Sequence, residues 1–231
     1  MNIVENLIKS SLGRKYIMAV SGAALWVFVI GHLLGNLQIF LGSEQINAYG
    51  HFLQTRPEIL WPARLGLLAM VALHIWSAVT LSKENKAARP VPYAHWNATV
   101  ASYASRTMLM SGLIIAGFVI YHLLHFTVQT KSINFTGQDF GRFLDAKGRH
   151  DVYRMMIRGF SSPLVSGFYV VSMGLLCLHL SHGAGAMFQS VGWKNQVYGP
   201  MIDRFAKIAA WLIFLGYSSI PVAVLLGYGN L

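Results

Sequence analysis

Charged residues are scarce in this chain of 231 residues, and that scarcity limits the kind of protein it can be. Asp, Glu, Lys and Arg together make up 11% of the sequence, whereas hydrophobic residues make up 55%. Soluble globular domains carry about 25% charged residues, so the composition argues against one. The mean hydropathy of +0.49 is typical of a protein built for lipid. We therefore predict an integral membrane protein.

Cysteine is almost absent as well. The single Cys177 lies inside an apolar segment, which excludes an internal disulfide framework and a thiolate metal site. We expect no signal peptide, because the first apolar stretch is too long and has no small-residue cleavage site. No basic helix is interleaved with base-stacking aromatic residues, so we expect no nucleic-acid partner.

Long apolar runs are what the chain does have. Five of them approach or exceed the ~20 residues that cross a ~30 Å hydrocarbon core, and none contains Asp or Glu. Because a backbone in lipid must satisfy its own hydrogen bonds, we predict an all-α membrane bundle that forms a single domain. The predicted segments are Tyr16–Leu41, Trp61–Leu81, Thr107–Val128, Pro163–Phe188 and Phe205–Gly227.

The connections between the segments are polar. Residues 1–11 favour a short amphipathic helix at the inner membrane surface, and Gly42–Leu60 is predicted as a loop. Trp96, in the next connection, is typical of an aromatic residue at a membrane interface. Three further histidines are predicted in solvated loops, namely His51, His95 and His150.

The distribution of basic residues favours a cytoplasmic N-terminus. With that orientation the inner pieces carry ten basic residues against three acidic ones, and the outer pieces carry eight against five. An excess of Lys and Arg on the cytoplasmic side is the usual arrangement. The basic inner face can meet anionic lipid or an acidic soluble partner.

Four of the five segments each carry a histidine, and the four histidines lie at two depths. At ~1.5 Å per residue, His32 and His122 share an outer level, and His74 and His179 share an inner level about 10 Å away. A single membrane histidine can serve as a hydrogen-bond partner between helices, but four at matched depths indicate a functional set. A haem iron takes two neutral imidazoles from facing helices at one height. We therefore predict two bis-histidine haems b between the first four segments.

Further side chains are weaker candidates for contacts with haem propionates. His125 and His182 follow two of the ligand candidates by three residues, hence on the same helix face. Guanidinium groups at the segment ends can bind carboxylates in a bidentate manner. Ordinary polar residues near the interface and snorkelling arginines explain these positions equally well. The arginines are Arg14, Arg64, Arg106 and Arg158.

Several stretches, in order and spacing, resemble the membrane anchor of succinate:quinone oxidoreductases over essentially the whole chain. The family in question is the single-chain, five-helix, di-haem cytochrome b subunit of bacterial succinate dehydrogenases and fumarate reductases. The matching stretches are Ser11-Leu12-Gly13-Arg14-Lys15, Val29-Ile30-Gly31-His32-Leu33-Leu34-Gly35-Asn36, Leu73-His74, Tyr121-His122, Ser161-Ser162-Pro163, Gly167-Phe168-Tyr169 and Leu178-His179-Leu180-Ser181.

This resemblance implies a function, a set of partners and the same two ligand pairs. It implies His74 with His179 for the haem proximal to an iron–sulfur subunit, and His32 with His122 for the distal haem. It implies a flavoprotein holding FAD and an iron–sulfur protein docked on the inner face of a bacterial inner membrane. The chain is then the quinone-reactive subunit of an enzyme complex and has no dicarboxylate chemistry of its own. A higher oligomer is also consistent with such an anchor.

One position departs from the family pattern. Some members carry a glutamate two residues before the fourth ligand, where this chain has Cys177. With no carboxylate in the five segments, we expect quinone protons, whether of menaquinone or ubiquinone, to exchange at the outer end. The candidate quinone region lies in the Gly42–Leu60 connection and contains Glu44, Tyr49, Gln54 and Glu58.

Two rival functions stay open on the sequence alone. The first is a di-haem cytochrome b anchor of another quinone-linked enzyme, such as a hydrogenase or a formate dehydrogenase. The second is a haem-free membrane transporter or scaffold in which the histidines are structural. Nothing in the residues decides whether electrons flow towards quinone or towards fumarate, because haem potentials depend on surroundings that sequence does not show.

Overall fold

The chain folds almost entirely into helices. The structure, a computed structural model, describes residues 3–88, 91 and 102–230. It is 81% helical and has no strand in those ranges, which confirms the all-α prediction. Within the described ranges five helices are long and apolar enough to cross a membrane, so the chain is a multi-pass membrane protein. The α-helices are α1 Ile3–Lys9, α2 Ser11–Leu37, α3 Ser43–Gln54, α4 Pro57–Ala87, α5 Tyr103–Arg106, α6 Met108–His122, α7 Val152–Phe160, α8 Pro163–Ser190 and α9 Gly199–Leu225.

Several membrane helices extend beyond the apolar segments predicted for them. Helix α2 begins at Ser11 and continues as a 3₁₀ turn over Gln38–Leu41, and α4 runs on to Ala87. Apolar composition marks where lipid contact ends, whereas backbone hydrogen bonding continues into polar turns. Helix α6 continues as a π-helical turn over Leu123–Thr127, a form that is frequent at functional sites.

The predicted helix near the N-terminus is confirmed as α1, and α8 begins at Pro163, where the fourth predicted segment begins. Predictions that concern His95 and Trp96 lie outside the described residues.

The connection predicted as a loop over Gly42–Leu60 is mostly helical, so that prediction is wrong. Helix α3 occupies most of it, and α4 begins at Pro57. Ile46, Tyr49 and Leu53 recur at helical spacing and form one apolar face. Because the other face is polar, the average composition of this segment is typical of a loop, although its apolar residues recur at helical spacing.

The chain divides into two compact units, which we describe separately. Unit 1 comprises Met1–Phe28, Arg64–Gly112 and Leu178–Ala210. Its buried residues are mostly small, and they include Ala19, Ser21, Ser77, Ala184, Ala206 and Ala210. Small side chains let helix backbones approach closely in a membrane.

Unit 2 comprises Val29–Ala63, Leu113–Cys177 and Trp211–Leu231. Its core is bulkier, with Ile39, Phe118, Met156, Phe160, Tyr169 and Ile220 among the buried side chains. Helix α7 packs on α3 and on the π-helical turn. A second cluster of Phe140, Phe143 and Met155 covers the same end of the unit.

Candidate bis-histidine sites

The imidazoles of His32 and His122 meet inside unit 2. His32 is on α2 and His122 is the last residue of α6, and their ring centres are 5.7 Å apart with planes at 82°. Tyr217 on α9 lies against His32, with ring centres 6.2 Å apart. The Tyr217 hydroxyl donates to the carbonyl of Val29 at 2.7 Å, so it fixes the α2 turn that carries His32.

A tyrosine hydroxyl connects His122 to a second histidine. The Tyr169 oxygen lies 3.3 Å from Nδ1 of His122 and 3.0 Å from Nδ1 of His125. His125 has no exposed surface, and its Nε2 is buried without a hydrogen-bond partner. The rings of Phe126 and Phe140 lie 4.0 and 5.8 Å from the His125 ring, centre to centre. An imidazole in this aromatic surrounding is strongly held in place.

The imidazoles of His74 and His179 meet inside unit 1. Their ring centres are 6.3 Å apart, with planes at 66°. Nδ1 of His74 lies 3.3 Å from the hydroxyl of Ser21, and Nδ1 of His179 lies 3.3 Å from the hydroxyl of Ser111. Both predicted pairs are therefore brought together, each within one unit.

The spacing of both pairs fits two imidazoles on one metal ion. An imidazole nitrogen binds a metal ion at about 2 Å, and the ring centre lies roughly 1 Å beyond that nitrogen. Each ring centre is therefore about 3 Å from the ion, and two rings on opposite sides of it have centres about 6 Å apart. The observed 5.7 and 6.3 Å agree with this value. Three or more His, Cys, Asp or Glu side chains do not gather into a metal site anywhere in the described ranges. Haem iron needs only two protein ligands, which is what each pair supplies.

A cavity of about 170 Å³ lies beside His32 in unit 2. Its lining includes Asn36 of α2, Tyr49 of α3 and Val152 of α7. Of the predicted quinone region, Tyr49 therefore reaches this cavity. Glu44, Gln54 and Glu58 are exposed and do not line it.

Asn47 joins α3 to the start of α7. Its side chain is buried, and its Nδ2 donates to Asp151 at 3.0 Å. Its Oδ1 accepts from the backbone N–H of Tyr153 at 2.9 Å. Asp151 is also the N-cap of α7, accepting from the backbone N–H of Arg154 at 3.0 Å. One buried amide thus connects two helices that line the cavity.

Glu44 belongs to an ion-pair network on the surface of unit 2. It accepts from Lys147 and Arg149, both at 2.8 Å, and these hydrogen bonds lower its pKa to about 2. Burial raises the pKa of Asp145, but hydrogen bonds from Arg149 and nearby backbone N–H groups outweigh it and lower that pKa to about 2. The two carboxylates in turn raise the pKa of Arg149. The network holds α3 against the residues that precede α7.

The predicted propionate contacts occupy varied surroundings. Arg14 is buried, donates to the carbonyl of Ile8 at 2.8 Å and forms an ion pair with Glu84. Arg64, inside α4, and Arg106, the last residue of α5, are exposed. The half-buried candidates are Arg158 in the last turn of α7 and His182 on α8.

Four side chains contact the paired histidines or their helices and were not predicted from the sequence. They are Ser21, Ser111, Tyr169 and Tyr217. Each is ordinary in its own segment, because serine and tyrosine are common in membrane helices. The relevant signal is its contact with a histidine on another helix, and this depends on how each helix is rotated.

No family model, curated protein or solved structure matches this chain.

Proposed function

We propose that the chain is a di-haem cytochrome b membrane subunit. His32 with His122, and His74 with His179, would hold the irons of two haems b. The observation that carries this proposal is the spacing of 5.7 and 6.3 Å between the two rings of each pair. When bound, the two haems supply a path for electrons. The chain's own contribution is to place four imidazoles on four membrane helices and to hold them with tyrosine and serine hydroxyls.

The substrate proposed for the His32–His122 side is a membrane quinone. The cavity beside His32 supports this proposal, because it offers the polar groups of Asn36 and Tyr49 on an otherwise apolar wall. Quinone reduction requires proton donors close to the carbonyl oxygens. We assign hydrogen bonding to the quinone to Tyr49 and Asn36, and proton exchange to the surrounding water.

The complex proposed is a succinate:quinone oxidoreductase of a bacterial inner membrane. The chain would anchor an iron–sulfur subunit and an FAD flavoprotein through its N-terminal face. Support comes from the segments predicted on the same side of the membrane as the N-terminus, which carry ten basic residues and three acidic ones. Dicarboxylate chemistry then belongs to the partner subunits. A tag pull-down from native membranes should recover both partners, and protease access to Met1 from the periplasmic side would overturn the orientation.

The haem proposal is tested by a reduced-minus-oxidised visible spectrum and a pyridine haemochrome assay on the purified chain. We expect about two low-spin haems b per chain. Replacing His32 or His122 with Ala should remove one spectral component, and replacing His74 or His179 should remove the other. His51→Ala is the matched control, since His51 is exposed on α3 and outside both pairs. Less than about one haem per wild-type chain would overturn the proposal.

The quinone proposal is tested by turnover with quinone and, separately, with a soluble electron-accepting dye. Tyr49→Phe and Asn36→Leu should slow quinone turnover and leave dye reduction and both haem spectra unchanged. Glu58→Gln serves as the control, because Glu58 is exposed and does not line the cavity. Unchanged quinone turnover in both cavity variants would place the quinone elsewhere.

A further inference from the structure

Each ring of the His74–His179 pair faces the same dipeptide on a neighbouring helix. Ser21-Gly22 of α2 faces His74, and Ser111-Gly112 of α6 faces His179. Both serine oxygens lie 3.3 Å from Nδ1 of their imidazole. A Cβ atom on the two glycines would lie 3.2 and 3.4 Å from Cε1 of the same rings. The missing side chains let each ring lie close to the helix that carries its serine.

The direction of these hydrogen bonds follows from where the serine protons are. The Ser21 hydroxyl donates to the carbonyl of Ile17 at 2.7 Å, and the Ser111 hydroxyl donates to the carbonyl of Met108 at 3.1 Å. A hydroxyl has one proton to donate and two lone pairs that accept. With those protons on backbone carbonyls, each serine oxygen offers only lone pairs to its histidine, and Nδ1–H of the histidine is then the donor. A neutral imidazole with its proton on Nδ1 has its lone pair on Nε2.

We infer that Ser21 and Ser111 are positioning residues that hold His74 and His179 in the Nδ1–H form, with both Nε2 atoms available to one metal ion. The inference rests on the proposed function for the identity of the metal, but the hydrogen-bond direction is a property of the chain alone. The His122 ring is held differently, by a phenol rather than by an aliphatic hydroxyl. The two centres therefore differ in the groups that tune their ligands.

These hydrogen bonds have an expected effect on a bound haem. An acceptor on Nδ1–H makes the imidazole a stronger electron donor, which favours the oxidised iron and lowers the reduction potential. Removing the acceptor should raise the potential of the haem between His74 and His179. The haem between His32 and His122 should be unaffected, because neither serine contacts that pair.

The first test is an optical redox titration of the purified haem-loaded chain. Ser21→Ala and Ser111→Ala should each shift the potential of one spectral component upward, and the double variant should shift it further. Ser111→Thr keeps the hydroxyl and should restore the wild-type value. Ser181→Ala is a matched control, since its hydroxyl also donates to a backbone carbonyl three residues earlier, at 2.9 Å. An unchanged potential in the double variant at full haem content would overturn the inference.

The second test does not depend on haem. Nitrogen-15 NMR of the full chain without added haem reports which ring nitrogen carries the proton, with His74→Ala and His179→Ala providing the assignments. We expect Nδ1–H in both rings and loss of that preference for His179 in Ser111→Ala. Protonation on Nε2 in the wild-type chain would overturn the inference. A wild-type chain without haem overturns the proposed function instead, while the NMR result still decides the direction of the hydrogen bonds.

Discussion

The hydroxyl oxygen of Tyr169 lies 3.0 Å from Nδ1 of His125, a histidine with no exposed surface. The same oxygen lies 3.3 Å from Nδ1 of His122, three residues earlier in the chain. One phenol therefore orients a proposed haem ligand and a buried histidine together. Removing a shared group of this kind leaves two imidazoles without a partner, so its effect should exceed that of an ordinary hydrogen bond.

Tyr169→Phe should lower the free energy of unfolding by about 1–3 kcal/mol, the cost of leaving a buried polar group unsatisfied. It should also shift the spectral component that His122→Ala removes and leave the other component in place. Chemical unfolding in detergent and a reduced-minus-oxidised spectrum measure the two effects.

Tyr121→Phe is the matched control for this change. Its hydroxyl donates to the carbonyl of Ile133 at 3.2 Å, outside the histidine pair. We expect a smaller loss of stability and wild-type haem spectra. Equal effects of the two substitutions on the spectra would contradict a specific role for Tyr169.

Two roles can be tested for Arg14. The sequence predicts a contact with a haem propionate, whereas the structure pairs the Arg14 guanidinium with Glu84. If the pairing with Glu84 is its main role, Arg14→Gln and Glu84→Gln should lower stability by similar amounts, about 1–3 kcal/mol, since each leaves a partner unsatisfied. Haem content should stay at the wild-type level in both variants. Loss of haem in Arg14→Gln alone would instead support the propionate contact.

Asn47 should influence quinone turnover without touching the quinone. Asn47→Ala removes hydrogen bonds to Asp151 and to the backbone of Tyr153, which weakens the contact between α3 and the start of α7. We expect a loss of about 1–3 kcal/mol in stability and slower quinone turnover, with both haem spectra unchanged. Gln45→Ala is the control, since Gln45 is exposed and its amide donates to Gln38 in α2's 3₁₀ extension at 3.0 Å. Unchanged quinone kinetics in Asn47→Ala would show that the contact between α3 and α7 does not influence quinone turnover in the cavity.

Much of this architecture can be predicted from the sequence, for identifiable reasons. The five spans follow from apolar length, which is a one-dimensional property of the chain. Depth along a helix is also one-dimensional, and counting residues paired His32 with His122 and His74 with His179, whose rings the structure brings together. Ligation itself stays a prediction.

Other features need information that a linear count does not contain. The contact between Ser111 and His179 depends on the rotation of two helices about their axes, and the contact between Arg14 and Glu84 depends on α4 continuing beyond its apolar segment. Helix α3 was missed because its apolar face is short and interrupted by polar residues. Chain position alone puts Glu44 in the candidate quinone region, whereas its partners Lys147 and Arg149 lie 103 and 105 positions further along the chain.

The ion-pair network of Glu44 should make the surface of unit 2 sensitive to acid. Hydrogen bonds from Arg149 and Lys147 lower the pKa of Glu44 from 4.5 to about 2. A carboxylate with a lowered pKa contributes stability that is present above its unfolded pKa and lost as pH falls through its folded pKa. The contribution of Glu44 should therefore disappear between about pH 4.5 and pH 2.

Pepsin cleavage of the segment between Asp139 and Asp151 can follow this loss, because the protease is active in acid. In the wild-type chain we expect slow cleavage at about pH 5 and faster cleavage as pH falls towards about 2. Glu44→Gln should be cleaved faster than the wild-type chain already at about pH 5, and its cleavage should depend less on pH because the Glu44 carboxylate is gone. Some dependence should remain, since Asp145 still pairs with Arg149. Glu58→Gln should follow the wild-type profile, because its ion pair with Arg56 is exposed and long, at 3.6 Å. If Glu44→Gln and the wild-type chain are cleaved alike across this range, the network does not hold α3 against the segment that precedes α7.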